Sequence, residues 1–272
     1  NWYTIVQQNV SISPRENSFL TKVSSLGKNI FSFAEAQSFW GSPHYAKVAL
    51  HRLVRKRMLI QLERGKYLVV PLEAGSERKW TEDSFLIANA LVQPAVIAYW
   101  TAVRHWNWTE QIPRIVYVQT TARKRRPKRT VIGVPYEFVT IPSHKFFGHA
   151  REWIDGKPVL VTDKERTLLD CADDVARAGS IEELVKAATS AAPEISWERL
   201  DGYARRFPNG AALKRLGFLF ENLGLQLSEP AKAVLESWCP RLTAGIAALQ
   251  PSGRRTGKIV SRWRVRVNAQ FS

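Results

Sequence analysis

Cysteine and histidine are scarce in this sequence, which limits the chemistry that it can carry. Cys171 and Cys239 are the only cysteines, and the chain has five histidines. Two cysteines cannot build a framework of several disulfides, and the Cys and His spacings match neither a structural zinc site nor an HExxH-type pair. We therefore expect no metal ion and no other cofactor.

A long apolar run is also missing. The most apolar stretch, residues 85–100, is interrupted by Asn89, Gln93 and Pro94. Because a membrane-spanning helix needs about 20 predominantly apolar residues, this stretch is too short and too polar. The first residues show no basic start followed by an apolar run, so no signal peptide is visible. We expect a cytoplasmic protein without a membrane partner.

The sequence lacks the motifs of many enzymes, including a glycine-rich phosphate loop and a nucleophile elbow. A nuclease needs carboxylates and a lysine close together, whereas Glu137, Asp155 and Lys157 have unsuitable spacing for such a site. Asp170 follows Arg166 by one helical turn, which favours a structural ion pair over catalysis. We expect no enzymatic activity, and the alternative left open is a nucleic-acid-targeted nuclease or modifying enzyme.

Acidic residues are few relative to basic ones. The 272 residues include 40 Lys and Arg against 24 Asp and Glu, so the formal net charge is +16. Such a surplus favours a polyanionic partner, usually nucleic acid. It is concentrated in three segments in which Glu63 is the only acid: residues 47–66, 123–129 and 251–272. These three clusters together indicate nucleic acid as the partner.

The first 75 residues show the element order that is typical of a winged helix-turn-helix domain. Apolar residues at helical spacing and a capping box from Ser32 to Glu35 mark its helices. We predict helices over residues 16–27, 32–39 and 43–58, then strands over 59–62 and 66–70. In such a domain the third helix enters the major groove of duplex DNA, and the hairpin tip reaches the neighbouring backbone. We therefore predict a DNA-binding domain over residues 1–75.

The candidate DNA contacts come from the third helix and the hairpin tip. They are polar, basic or aromatic side chains: Ser42, His44, Tyr45, Lys47, His51, Arg52, Arg55, Arg64 and Lys66. Arg52 and Arg55 either hold phosphates or read guanine, and both alternatives stay open. His51 is equally consistent with a surface residue that has no role. Winged helices also serve as protein-interaction modules, so this fold alone does not establish DNA binding.

Residues 76–272 are predicted to form a second, mixed α/β domain. Its first part is predicted to contain two apolar helices, over residues 81–91 and 94–106. Alternating patterns then predict strands over residues 114–121, 136–141, 145–147 and 151–161. Capping residues predict helices that begin at Thr162, Ser180, Ser196, Asn209 and Pro230. A last strand is predicted over residues 258–268. The expected fold class is α+β, with a small antiparallel sheet and a helical C-terminal part.

Two basic groups form a candidate secondary basic surface in this second domain. The first group lies in a predicted loop: Arg123, Lys124, Arg125, Arg126, Lys128 and Arg129. The second group lies on the outer face of the last predicted strand: Arg262, Arg264 and Arg266. For the loop, a phosphate contact, an acidic partner and no role at all remain open.

Two segments in this order resemble the AbiEi-type antitoxins, the regulators of type IV toxin–antitoxin systems, which are connected with phage defence. The first is LHRLVRKRMLIQLERGKYLV, residues 50–69, in which Arg64, Gly65 and Tyr67 match the family's wing motif. The second is VTDKERTLLDCAD, residues 161–173. The resemblance implies that the first domain binds inverted repeats in its own promoter and represses transcription. It also implies that the second domain counteracts a nucleotidyltransferase toxin, with no need for a stable complex.

Overall fold

The computed structural model describes residues 11–71, 74, 80–207 and 209–269. The chain divides into two units: unit 1, residues 1–83, and unit 2, residues 84–272. The boundary that the sequence predicts after residue 75 falls within the segment 75–79, which lies outside the described residues. Both units contain helices and strands, so the expected α+β class is confirmed. None of the described helices is both long enough and apolar enough to cross a membrane.

Unit 1 contains helices and a small antiparallel sheet. In chain order its elements are α1 (Pro14–Ser25), β1 (Ile30–Ser32), α2 (Phe33–Trp40), α3 (Pro43–Arg55), β2 (Leu59–Glu63) and β3 (Lys66–Val69). Strand β3 lies in the middle and pairs with β1 on one side and β2 on the other. The predicted helices and hairpin strands are confirmed. Strand β1 was missed because it is very short and its last residue, Ser32, is also the cap of α2.

Local signals explain where the helices of unit 1 begin and end. Ser13 and Ser32 each accept a hydrogen bond from the backbone amide of a glutamate three residues on, which completes a capping box for α1 and α2. Gly41 has a φ of +70° and ends α2, because this left-handed conformation favours glycine. Pro43 then starts α3 at a position that needs no backbone donor. The turn between α2 and α3 is therefore only two residues long.

Unit 2 begins with a sheet that differs from the prediction. Its elements are α4 (Ser84–Leu91), β4 (Val96–Ile97), α5 (Tyr99–His105), β5 (Val116–Thr120), β6 (Lys128–Val131), β7 (Val134–Thr140), β8 (His149–Ile154) and β9 (Lys157–Thr162). The strand order is β6-β7-β5-β4-β9-β8, and the pairs β5–β7 and β4–β9 are parallel. The expected small antiparallel sheet is thus wrong: the sheet is six-stranded and mixed.

Three predictions for this region are wrong at the level of single elements. The predicted helix over residues 94–106 starts too early: Val96 and Ile97 form strand β4, and helix α5 begins only at Tyr99. The sequence does not reveal this because a short apolar run fits a buried strand as well as a helix. The strand predicted over 145–147 is absent, and Ser143–Lys145 form one turn of 3-10 helix instead. The loop predicted over 123–129 ends early, because its last two residues already belong to β6. The strand predicted over 151–161 is a hairpin of β8 and β9 that turns at Asp155-Gly156.

The C-terminal part of unit 2 is helical with a small additional sheet. It contains α6 (Lys164–Asp173), α7 (Ile181–Ala191), α8 (Trp197–Arg206), α9 (Gly210–Asn222), α10 (Glu229–Trp238), β10 (Ala247–Ala248), β11 (Lys258–Val260) and β12 (Val265–Val267). The single strand predicted over 258–268 is instead a hairpin of β11 and β12 with a turn at 261–264. Asp163, rather than the predicted Thr162, caps α6. The caps predicted at Ser180, Ser196 and Asn209 are confirmed.

The side chain of Trp263 lies in the core of unit 2, against helix α9. It is fully buried, and its ring packs against Gly217 of that helix. A Cβ atom at position 217 would lie 2.0 Å from the ring, so only glycine allows this contact. Trp263 therefore anchors the turn between β11 and β12 to the core of unit 2.

A buried ion pair joins the helical part of unit 2 to its sheet. Arg166 Nε donates to Asp170 Oδ1 at 2.9 Å, and both side chains are almost completely buried. Gln119 of β5 donates to the same carboxylate at 2.8 Å, and the Arg166 guanidinium lies between the rings of Phe147 and Phe207. Burial raises the pKa of Asp170, against the opposing effect of the guanidinium. The structural ion pair predicted from the spacing is confirmed.

We expect the substitution Arg166→Met to destabilise the protein by about 3–5 kcal/mol, because it leaves the Asp170 carboxylate buried without its counter-charge. Chemical denaturation followed by circular dichroism measures this loss. Arg205→Ala is the control: it removes an exposed pair with Asp201 at the same spacing and should cost no more than about 1 kcal/mol. Equal losses for the two variants would contradict the assigned role of the buried pair.

Candidate nucleic-acid interface

Helix α3 separates its apolar and its polar side chains onto two faces. The buried face packs into the core of unit 1 and consists of Ala46, Ala49, Leu50 and Leu53. The exposed face carries most of the predicted contact residues: His44, Tyr45, Lys47, His51, Arg52 and Arg55. Burial of the first face therefore determines that the second face points to solvent.

A groove with a volume of about 970 Å³ lies between α3 and the β2–β3 hairpin. Its basic lining residues are Lys47, Arg52, Arg55 and Arg64, and two histidines, His44 and His51, also line it. No acidic side chain is among its lining residues. The structure thus brings six of the nine predicted contact residues to one surface that carries four cations and no acid.

The cations of the groove have no ionic partner in the described part of the chain, whereas several lysines elsewhere in unit 1 do. Within the described residues, none of Lys47, Arg52, Arg55 and Arg64 forms an ion pair. Outside the groove, Lys28 pairs with Glu35 at 2.7 Å and Lys56 pairs with Glu16 at 2.8 Å. Glu16 and Glu35 therefore neutralise lysines away from the groove, and the four groove cations stay available to a ligand.

Three predicted contact residues lie outside this lining. Lys66 pairs with Glu63 at 3.1 Å, so its charge is already compensated. Ser42 is the N-cap residue of α3, but its side chain makes no capping hydrogen bond. Tyr45 projects from the first turn of α3 with 63% of its surface exposed. Tyr45 remains able to meet a ligand laid along α3, whereas Lys66 must first leave its glutamate.

The apolar lining of the groove was not predicted from the sequence. It consists of half-buried side chains from α2, α3 and β3: Phe33, Val48, Val54 and Tyr67. Tyr67 stacks on Phe31, with ring centroids 5.7 Å apart, and burial raises the pKa of its hydroxyl. The place of Tyr67 in the wing motif could have indicated its position in the groove. For Phe33 the sequence shows only that it begins a helix, which does not indicate a contact with the hairpin.

The hairpin tip is tied to the start of α2. Gly65 has a φ of +78°, a conformation that favours glycine, and its carbonyl accepts a hydrogen bond from the Phe33 amide at 2.7 Å. This bond holds the backbone next to Arg64 against the body of unit 1. Arg64 therefore projects from a braced turn rather than from a loose loop.

Glu16 holds the C-terminal end of α3 against the start of α1. The carboxylate accepts from the Ser13 amide at 3.0 Å within the capping box and from Lys56, the C-cap residue of α3, at 2.8 Å. Burial alone would raise the pKa of Glu16, but the hydrogen bonds from Lys56 and Ser13 outweigh it and lower that pKa. One nearly buried acid thus positions the helix that carries the groove cations.

The predicted loop of the candidate secondary basic surface is only partly available to a ligand. Arg123, Arg125 and Arg126 are exposed. Lys124 donates to the Leu91 carbonyl at 2.6 Å and lies over the ring of Phe138. Lys128 pairs with Glu137 at 3.3 Å, and Arg129 is half-buried on β6. Half of this basic group is therefore engaged within unit 2.

The three arginines predicted on the last strand are all engaged in internal contacts. Arg262 forms ion pairs with Glu221 and Glu236. Arg264 donates to the carbonyls of Leu242 and Thr243, and Arg266 donates to the Arg255 carbonyl. The expected arginine-lined outer face is thus corrected: two of these residues lie in or at the turn, and all three stabilise the chain around it.

Comparison with known proteins supports the fold and adds nothing on activity. No family model matches the chain, and no curated protein matches it. The crystal structure of the RV2827C protein from Mycobacterium tuberculosis is similar, with a TM-score of 0.65 and 15% sequence identity. The similarity covers 94% of this chain and 92% of that chain. The described residues contain no cluster of three His, Cys, Asp or Glu side chains that could hold a metal ion.

We expect Glu16→Gln to destabilise the protein at pH 7 and to have little effect in acid. The lowered pKa means that the ionised Glu16 stabilises the fold above its ordinary value of 4.5, and this stabilisation is lost as the pH falls through the lower, folded-state pKa. The loss at pH 7 should be about 1–3 kcal/mol, as for hydrogen bonds to a charged group. Denaturation of both proteins between pH 7 and pH 3 measures it.

Glu35→Gln is the matched control for this experiment. Glu35 occupies the same place in the capping box of α2 and pairs with Lys28, but nearly half of its side chain is exposed. Solvent screening should make the pH-dependent loss smaller than that of Glu16→Gln. A loss for Glu16→Gln that is the same at all pH values would contradict the role assigned to its charge.

Proposed function

We propose that this protein is a DNA-binding transcriptional repressor of its own promoter and the antitoxin of a type IV toxin–antitoxin system. In this proposal unit 1 is a winged helix-turn-helix domain that binds inverted repeats in double-stranded DNA. Unit 2 counteracts a cognate nucleotidyltransferase toxin, and the protein acts in the cytoplasm.

The observation that carries the DNA-binding half is the groove beside α3. Four cations line it without an acid among them and without ion pairs to described residues. A cation without an ion pair in the protein can bind a phosphate without first breaking such a pair. Each phosphate contact also releases a condensed counterion from the DNA. The surface is therefore suited to a polyanion.

The arrangement of the elements supports double-stranded DNA as that polyanion. Helices α2 and α3 are joined by a two-residue turn, and α3 is followed directly by the β2–β3 hairpin. In a helix-turn-helix the second helix of the pair lies in the major groove, which is wide enough to admit one helix. The exposed face of α3 would then meet the base edges, and Arg64 at the hairpin tip would meet the backbone beside them.

The antitoxin half is supported by the resemblance of two sequence segments to the AbiEi-type antitoxins. The structure gives physical reasons for several of the matching residues. Gly65 adopts the left-handed conformation of the hairpin tip, and Tyr67 stacks against Phe31. Arg166 and Asp170 form the buried ion pair of α6. These residues hold each unit together, so the neutralising surface must be formed by other residues of unit 2.

We expect the double substitution Arg52→Ala/Arg55→Ala to abolish the retardation of promoter DNA by the full-length chain. Each lost base contact should cost about 1–3 kcal/mol, or each lost phosphate contact should reduce the slope of log K against log salt by about 0.9. Gel retardation over a range of salt concentrations therefore also distinguishes the two contact types. Both side chains are exposed, so the fold should stay intact.

The charge-matched control for this prediction is Arg114→Ala/Arg151→Ala. Both arginines are exposed in unit 2, and their side chains make no ion pair or hydrogen bond with a described residue. The control variant loses the same formal charge and should retain most of the promoter binding. Unchanged retardation by the Arg52→Ala/Arg55→Ala variant would refute the assignment of the site.

In cells, we expect the Arg52→Ala/Arg55→Ala variant to separate repression from toxin neutralisation. A reporter behind the promoter should be derepressed because the DNA-binding surface is lost. Growth of cells that express a cognate nucleotidyltransferase toxin should still be protected, because neutralisation is assigned to unit 2. Loss of protection at an equal level of the variant protein would contradict this division of labour.

A further inference from the structure

The segment from Gln250 to Lys258, here called the C-terminal basic loop, is an exposed part of unit 2 whose cations form no ion pair with a described residue. Arg254, Arg255 and Lys258 are exposed, and none of them forms an ion pair or a side-chain hydrogen bond with a described residue. The sequence from residue 250 to residue 272 contains no Asp or Glu. The loop therefore carries three charges that nothing in its own segment neutralises.

This loop is held in one shape by contacts with the strand that follows it. The Asn268 amide donates to the carbonyls of Gln250 at 2.9 Å and Arg254 at 2.8 Å, and its oxygen accepts from the Gln250 amide at 2.9 Å. Arg266 donates to the Arg255 carbonyl. The hydrogen bonds from Asn268 and Arg266 therefore brace the backbone that carries Arg254 and Arg255.

Gly257 closes the loop against β12. Its φ is +128°, and a Cβ atom at this position would lie 2.0 Å from the Val267 carbonyl oxygen. Any other residue would push the loop away from the strand. A loop that is ordered before binding loses less conformational entropy on binding, which is how protein sites are made ready for a ligand.

We propose that the C-terminal basic loop is a second nucleic-acid contact, which binds the phosphate backbone of double-stranded DNA irrespective of base sequence. Two adjacent arginines and a lysine are the side chains that meet phosphates, since a guanidinium donates two parallel hydrogen bonds to phosphate oxygens. This inference rests on the proposed function only for the choice of DNA as the polyanion.

The composition of the loop favours duplex DNA over the other polyanionic partners. Residues 250–258 contain no aromatic side chain on which an unpaired base could stack, and single-strand binding depends on such stacking. Its exposed side chains are charged or small, apart from Pro251, whereas protein interfaces place apolar and aromatic residues at their centre. What remains is a surface that contacts phosphates and reads no bases.

The test uses the full-length chain with the substitutions Arg254→Ala/Arg255→Ala and two DNA duplexes, the promoter and a scrambled duplex of equal length and composition. We expect weaker binding to both duplexes by the same factor. Two lost phosphate contacts should reduce the salt slope by about 1.8, so the fall in affinity between about 50 and 200 mM salt becomes about tenfold smaller. The preference for the promoter over the scrambled duplex should be unchanged.

Asn268→Ala tests the bracing separately from the charge. This variant keeps all three cations, so we expect the same salt slope as the unsubstituted chain and an affinity that is several-fold lower for both duplexes. A thermal melt checks that unit 2 remains folded; if Asn268→Ala unfolds it, the arginine variant decides alone. A reduced salt slope for Asn268→Ala would contradict the bracing role.

Failure of this inference is distinguishable from failure of the proposed function. If Arg254→Ala/Arg255→Ala binds both duplexes as tightly as the control Arg114→Ala/Arg151→Ala, the inference is overturned and promoter recognition stands. A duplex RNA of equal length serves as a third probe. If Arg254→Ala/Arg255→Ala weakens binding to this RNA but to neither DNA duplex, the inference is also overturned. If the unsubstituted chain binds both DNA duplexes equally, promoter recognition fails, and the scrambled duplex still tests the loop.

Discussion

Burial of the apolar face of α3 is the constraint on which the candidate interface depends. Ala46, Leu50 and Leu53 lie in the core of unit 1 with almost no exposed surface. Because an α-helix turns by a fixed angle per residue, burying these positions forces Lys47, Arg52 and Arg55 outward. The cations cannot leave the surface without exposing the core, so the stability of unit 1 and the geometry of its charged surface have the same origin.

The distribution of the few acids then decides which cations remain available. In unit 1, acids at the start of α1, at the start of α2 and beside the hairpin tip each pair with a lysine. In unit 2, Arg262 is likewise paired with acids, whereas Arg264 and Arg266 donate to backbone carbonyls and keep their charge. A net charge of +16 is therefore divided into cations that hold the fold and cations that face solvent.

Sequence reasoning succeeded where one local signal determines the structure. The helices and the hairpin of unit 1 follow from capping boxes, Gly41, Pro43 and a regular apolar spacing. It failed where long-range pairing decides: β4 is two residues between two distant strands, and nothing local distinguishes it from a helix. Sequence reasoning placed the cations of the groove on one surface, but it did not predict the apolar lining. Phe33 joins that lining because its backbone amide is hydrogen-bonded to the hairpin, which is a long-range contact. The arginines of the last strand alternate in sequence, but alternation does not reveal the turn at 261–264 that contains Arg262 and Arg264.

The contact between Gly217 and Trp263 has a consequence for the order in which the chain acquires its structure. The ring fills the core beside α9, so that core has a hole until residue 263 is in place. During synthesis from the N-terminus, unit 1 has all its described elements long before the ribosome reaches this tryptophan, and domains generally fold as they emerge. Nascent chains can therefore carry a finished groove while unit 2 is still incomplete.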